Sequence, residues 1–330
     1  MKKVKKILSF ILAIVLLVLS MTTCASAASK ATTVKEISQG TGTAIKYLQR
    51  NVGLIKKWGV IPGLMQTVTR TSDDKNITTC NGMVPQGLTF GGDFLFISAY
   101  CGCGKGHRSV IYVIGASDRK YKSTLILDTS CHVGGIAKAG NYIWVCDSDY
   151  KCLRAYKYSS ACDANGRAYM TVKTQAKCSV ATTPSYLCYA NGCLYVGTHY
   201  KDSTTAKIYY YSVNGKNISQ KGFFKISGVS KIQGLSIRGE YMVVASSYGR
   251  SNKSNVYVFR DSSKFVTDKK VYSSPIKTFK FANMVEGCYI GSSYTYFIFE
   301  SGAKTYRSSA NTMPLDMYVA FSNSTMGIKK

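Results

Sequence analysis

The chain has 330 residues, with 43 Lys and Arg against 16 Asp and Glu, a formal net charge of +27, 45% apolar and 12% aromatic residues. That length suffices for one large β domain with a deep core. Beyond residue 27 no apolar run approaches the ~20 residues a spanning helix needs, so no transmembrane segment is expected in the mature chain. The charge gives a large positive field that attracts anionic partners without specificity. For an exported chain, wall polymers and acidic polysaccharides suit that field better than nucleic acid, and no specific nucleic-acid partner is expected. A solubilising surface charge is the plainer alternative.

In chain order, residues 1–27 read as a secretory signal peptide. Lys2, Lys3, Lys5 and Lys6 open it, Ile7–Leu19 is nearly unbroken apolar, and Ala25-Ser26-Ala27 is a small-residue cleavage site. Cys24 offers a lipoprotein alternative, but Met21-Thr22-Thr23 before it lacks the small-residue context. Cleavage leaves a mature chain from Ala28, extracellular or associated with the cell wall, with four lysines fewer and a net charge of +23. Residues 28–79 are expected to pack on the fold or close it. Thr43–Trp58 spaces Ile45, Leu48, Val52 and Ile55 as one apolar helix face. Residues 65–71 (MQTVTRT) have β character.

Residues 80–330 contain a fivefold repeat, at 85–100, 133–148, 184–200, 232–248 and 285–301. Aligning Gly87, Gly135, Ser185, Gly234 and Gly287 gives steps of 48, 50, 49 and 53 residues. Each copy is a short apolar strand, a Gly- or Asn-bearing turn such as Asn191-Gly192, and a second, strongly apolar strand. A third strand carries a recurring tyrosine, at 112, 156, 209, 257 and 318. Fourth strands follow in the first four units at 123–127 (STLIL), 169–173 (YMTVK), 222–226 (GFFKI) and 277–281 (KTFKF). A strand-only period of this length predicts an all-β, five-bladed β-propeller of four-stranded blades. The fifth unit lacks a fourth strand, and residues 65–71 are expected to supply it and close the ring.

This blade pattern resembles the NHL and SMP-30/gluconolactonase group of propellers, whose blades also open on a Gly-led inner strand and turn into a second apolar strand. The resemblance covers residues 80–330. Lactonase-type members hold a divalent metal at the channel mouth with a Glu and further Asn or Asp side chains, so the resemblance implies a divalent cation there. The matching strand starts here are Gln86, Gly134, Pro184, Gln233 and Glu286, of which Glu286 alone fits that donor pattern, and those relatives usually have six blades. Five-bladed lectins and arabinanase-like glycosidases share the wider class by fold alone.

In such blades the inner strand's start and the second strand's end meet on one face, with the loops to the third strand. All three histidines of the chain (His107, His132, His199) and two of its four glutamates (Glu286, Glu300) fall there. That concentration of rare ionisable residues is the main functional signal. Glu286 and Glu300 are expected nearly opposite one another in a tight hairpin, ~5 Å apart if they share a face. Two such carboxylates keep a proton between them, which suits acid/base hydrolysis and also cation binding. The structural alternative has Glu286 accepting from backbone amides and Glu300 pairing with Arg250, Lys304 or Arg307. His132 joins them as a candidate catalytic group. Gln86, Tyr100, Asp147, His199, Gln233, Tyr248 and Arg250 are candidate ligand contacts. Gln86 and Gln233 could instead bridge blades, and Asp147 could form an acid-base pair with His132 or His199. The face carries eight basic to four acidic residues, counting Glu300, and so is no more basic than the chain at large.

Eleven cysteines remain after cleavage, an odd number whose density in an exported chain favours disulfides. Cys146 and Cys152, flanking one turn, are the first expected pair. Cys101-Gly102-Cys103…His107 has soft-ligand spacing for copper or zinc, though a disulfide suits an oxidising compartment better. No GxSxG, HExxH, P-loop or dinucleotide motif occurs. Together these features lead to a secreted, monomeric propeller that binds a carbohydrate or anionic surface polymer. A hydrolase or lyase of such a polymer, using Glu286 and Glu300, and a protein-interaction scaffold are the alternatives.

Overall fold

A computed structural model describes residues 41–309 and 311–329; the expected leader and Cys24 lie outside them. Five antiparallel sheets of four or five strands form a five-bladed propeller. The inner strands of blades one to five are Met83–Gly91, Ile136–Ala139, Tyr186–Ala190, Ile232–Arg238 and Val285–Ile290. Each packs on the next and the fifth packs on the first, so the ring is closed. Tyr112, Tyr156, Tyr209, Tyr257 and Tyr318 all lie in third strands. The turn in blade three takes positive φ at both Asn191 (50°) and Gly192 (79°), which matches the right-handed twist of the flanking strands. Among the described residues no helix is long and apolar enough to cross a membrane.

The glycine that opens four of the five repeats serves the propeller axis. A Cβ at Gly135 would fall 2.3 Å from Leu187 N, and one at Gly234 would fall 2.5 Å from Glu286 O. Only glycine lets neighbouring inner strands approach backbone to backbone. The axis is nearly filled as a result, with a cavity of about 10 Å³ lined by the inner strands, room for a single water at most. The channel interior therefore has no room for a ligand, and along the axis only its two ends are open to one.

Closure differs from expectation. The fourth strand of blade five is Lys57–Val60, antiparallel to Met317–Ser322 with Lys57 opposite Ala320. Residues 65–71 do not reach it. Thr67–Arg70 instead folds onto Ile77–Cys80 as a local hairpin, where Val68 and Cys80 join the core of blade one and Thr67 Oγ1 meets Tyr112 OH at 2.6 Å. A hairpin six residues away closes a far smaller loop than a ring-spanning pairing, so local entropy favours it.

Blade two departs in the same way. Its outer strand is Ala176–Ser179, while Tyr169–Thr171 crosses to blade one and pairs parallel to Tyr121–Ile126. A short helix, Ser159–Ala164, carries the chain there. Val271–Tyr272 covers blade three's outer strand likewise. Both additions shield edges that would otherwise stay open to pairing.

Helix α1 (Thr41–Asn51) stops seven residues short of the predicted end, as the chain turns at Gly53, φ 143°. Ala44 and Leu48 are fully buried in the core between blades four and five, with Ile45, Val52 and Ile55 packed against it. The apolar face read from the sequence is thus spent on the propeller.

Candidate functional site

Three inner strands begin with a register irregularity, between Pro85 and Leu88, Ile232 and Gly234, and Val285 and Cys288. A bulge re-aims the extra side chain, and here the extra residues are Gln86, Gln233 and Glu286. Ser98 Oγ accepts from Gly87 N at 3.1 Å and donates to Val133 O at 2.9 Å, which pins the first bulge to blade two. Ser254 Oγ accepts from Val285 N at 3.2 Å and pins the last to blade four.

Glu286 and Glu300 are both buried, but not as a cross-strand pair. Val285 is the residue opposite Phe299, and Glu300 N donates to Met284 O at 3.0 Å. The bulge takes Glu286 out of the ladder, and Glu300 opens a 3-10 turn, Glu300–Gly302. Glu300 Oε1 accepts from Gln86 Nε2 at 2.6 Å, which links blades five and one. Gln86 Nε2 also donates to Pro85 O at 3.1 Å. Glu286 Oε2 and Gln86 Oε1 are buried without a hydrogen-bond partner. Burial pushes the Glu286 carboxyl well above its usual range, and the charge of Glu300 adds to the push. Burial raises Glu300 to about 7, against the opposing pull of the Gln86 hydrogen bond and the Arg250 charge. At neutral pH one carboxyl is a proton donor and its neighbour is partly ionised.

An aromatic group lies beside them. The rings of Tyr100 and His132 stack with centroids 4.0 Å apart and 26° between planes, and His132 is exposed to solvent. Tyr100 OH meets Tyr306 OH at 3.2 Å, and the Arg250 guanidinium sits 5.0 Å from the Tyr306 ring. Arg250 O accepts from Asn283 Nδ2 and Thr312 Oγ1, both at 3.1 Å, which holds the loop in place. Burial, then the Tyr306 hydroxyl and the charges of the two glutamates, keep Tyr100 in its phenol form. The mouth walls and then nearby His199 lower the His132 pKa, although solvent at the ring's open side tempers the effect. His199 Nδ1 lies 3.2 Å from Ile232 O, and the Gln233 side chain lies near its ring.

The residues singled out from the sequence thus gather around one mouth, with two exceptions. Gln86, Glu286, Glu300, Tyr100, His132 and Arg250 are together, and across from His132 stands His199 with Gln233 behind it. Asp147 is elsewhere: it is fully buried, its Oδ2 accepts from Arg154 Nε at 2.5 Å, and its Oδ1 accepts from Tyr150 N at 3.2 Å. Its role is an internal ion pair, and neither histidine shares it. Tyr248 stands on the outer rim, 45% exposed, under Lys231 Nζ at 4.1 Å. Tyr306, which meets Tyr100 here, was not among the residues singled out from the sequence.

The cysteines also depart from expectation. Cys152 is in register with Asp147, and Cys146 with Leu153. Alternation then sends the two thiols to opposite faces of the sheet, and no disulfide joins them. All eleven described cysteines are free thiols. For a divalent cation, the mouth offers two carboxylates and one amide oxygen, whereas calcium takes six to eight oxygens.

No family model matches the chain, and no curated protein matches it. Among solved structures it is similar to Myxococcus xanthus glutaminyl cyclase, at 11% identity over 80% of this chain and 96% of that one, TM-score 0.45. It is similar to a chain of a nidogen/laminin complex at 12% identity over 72% and 85%, TM-score 0.40. Against Kuenenia stuttgartiensis hydrazine synthase, at 12% identity and TM-score 0.38, it aligns over 64% of its own length and spans 55% of that chain. The fold assignment rests on the chain's own sheets.

Proposed function

We propose that this chain is an exported, monomeric binding module that holds a carbohydrate unit of a cell-surface polymer at the mouth formed by blades one, two, four and five. The observation that carries the reading is the open Tyr100–His132 stack beside two buried, unpartnered oxygens, Glu286 Oε2 and Gln86 Oε1. A stacked ring pair offers a flat apolar face to the C–H side of a sugar. A few convergent polar groups then fix its hydroxyls, and a carboxyl kept protonated both donates and accepts. Acidic units gain only Arg250 here, so attraction to anionic polymers comes from the diffuse net charge of the whole chain. Kinship with the NHL and SMP-30/gluconolactonase group, on blade pattern, belongs to the same proposal.

A specific observation favours a second reading. Glu286 held protonated beside Glu300 near neutrality supplies an acid and a base, the requirement for glycoside hydrolysis. One experiment separates the two. The purified mature chain is passed over immobilised neutral and acidic polysaccharides at low and moderate salt, and new chain ends are counted. Salt-resistant retention that Tyr100→Ala and His132→Ala abolish supports the binding module. Release of ends that disappears in Glu286→Gln replaces it with the hydrolase. Retention that salt removes equally from all variants reflects net charge alone and sinks both.

A further inference from the structure

We infer that Cys80, Cys101, Cys103 and His107 form a zinc site that ties the hairpin of residues 67–80 to blade one. It is independent of the mouth, and the reading of the mouth does not bear on it. Cys80 Sγ lies 3.6 Å from both Cys101 Sγ and Cys103 Sγ. Cys101 Sγ and Cys103 Sγ are 3.0 Å apart, and each is 3.5 Å from His107 Nδ1. All four donor atoms lie within 4.8 Å of one another. A tetrahedral zinc with Zn–S of about 2.3 Å and Zn–N of about 2.0 Å sets sulfurs about 3.8 Å apart and sulfur to nitrogen about 3.5 Å. Both Cys80 separations and both His107 separations fall within about 0.2 Å of those values. The Cys101–Cys103 pair is the one that must open.

A disulfide accounts for the arrangement less well. One sulfur pairs with one other at ~2.05 Å, which would strand the third thiol and the imidazole against the bond. Three sulfurs at comparable spacing around a common centre, with a ring nitrogen completing the set, are what a closed Cys₃His site requires. Three thiols with one imidazole suit a thiophilic ion, and tetrahedral placement selects zinc over oxygen-seeking calcium or magnesium.

The backbone is shaped for this purpose. Cys80 ends the strand Ile77–Cys80 and is fully buried, and His107 is 6% exposed. Gly82 N donates to Cys80 Sγ at 3.4 Å, the kind of amide contact that steadies a metal-bound thiolate. Gly102 N donates to Gly82 O at 2.8 Å, which draws the Cys101–Cys103 corner onto the hairpin. A Cβ at Gly82 would sit 2.9 Å from Cys103 Cβ. Gly104 and Gly106 take positive φ, 78° and 65°, and curl the loop so that His107 returns to the sulfurs. Arg108 N to Arg70 O at 2.9 Å and Thr69 Oγ1 to Arg108 O at 2.6 Å then lock the loop's end to the hairpin. Lys105 stands on the same loop, where a zinc with three thiolates carries net negative charge.

The test uses the mature chain purified under reductant, loaded with zinc, desalted and assayed for metal by mass spectrometry. The expected result is one zinc per chain, lost in Cys103→Ser and in His107→Ala and kept in Cys162→Ser, a change at an exposed thiol elsewhere. Cobalt in place of zinc should give thiolate charge-transfer bands and the strong visible bands of a tetrahedral site. A chelator should lower the melting temperature of the wild type and leave that of His107→Ala unmoved. Circular dichroism establishes that the variants are folded, and Cys80→Ser, at a fully buried position, is not relied on. Wild-type protein that retains no stoichiometric zinc overturns the inference. So does zinc that persists in folded Cys103→Ser and His107→Ala, or a Cys101–Cys103 disulfide that yields no zinc-binding protein on reduction.

Discussion

Glutamine at position 300 keeps the acceptor that Gln86 Nε2 uses and removes the titrating proton, so Glu300→Gln isolates the electrostatic cost of the mouth. Glu300 has a folded pKa of about 7 against an ordinary 4.5. The folded state therefore binds the proton more tightly than the unfolded chain. Its stabilising contribution is complete below pH 4.5 and is lost as the pH rises through 7. A difference of 2.5 units at 1.36 kcal/mol each amounts to ~3 kcal/mol. An amide does not titrate and so carries no such cost. At pH 7 or above, Glu300→Gln should therefore be more stable than wild type by ~3 kcal/mol, or about 5 °C in melting temperature for a propeller of this size. At pH 4.5 the two should melt together. Thermal and urea unfolding across pH 4–8 measures both. A variant less stable than wild type at pH 7, or shifted equally at both ends of the range, would refute the burial argument.

Three further perturbations test the frame that carries the mouth. Gly135→Ala forces a Cβ to 2.3 Å from Leu187 N, and should cost on the order of 1–3 kcal/mol in urea unfolding; a neutral result means the axis is looser than that contact implies. Arg154→Ala strands the buried Asp147 carboxylate, with an expected loss of about 3–5 kcal/mol, and pairing it with Asp147→Asn should recover most of that; additive losses would deny the pair. Deleting residues 41–60 removes helix α1 and the closing strand Lys57–Val60. Limited proteolysis should then begin in blade five, and wild-type resistance would contradict closure by that strand.

The repeat was legible because its signals are local. A glycine that admits a neighbouring backbone, a turn with positive φ and an apolar strand recur within about twenty residues, and the third-strand tyrosines keep step with them. What failed depends on distant partners. Lys57–Val60 is four residues with little β signature, and it becomes a strand only because Met317–Ser322 offers an open edge. Residues 169–173 read as blade two's fourth strand, but tertiary packing gives that place to 176–179 and sends 169–171 to blade one. Cys146 and Cys152 look adjacent across a turn, yet register parity separates their side chains. The site divides along the same line. Loop logic gathered Glu286, Glu300, His132, Tyr100 and Arg250 on one face, but the bulge that displaces Glu286 leaves no mark a single sequence reveals. Asp147 was misread because its partner Arg154 is on the next strand. Cys80 was missed as a fourth metal donor because the strand pair Met83–Gly91 and Phe94–Cys101 separates it from the other three in sequence, though its place at the end of Ile77–Cys80 was the available hint.

The most direct measurement on the mouth is a crystal structure of residues 28–330 with an oligosaccharide cut from whichever polymer retains them. The expected result is a sugar ring lying on the Tyr100–His132 stack, with hydroxyls hydrogen-bonded to Glu286 Oε2 and Gln86 Oε1. A well-ordered sugar bound elsewhere on the propeller, with those two oxygens still unpartnered, would contradict it.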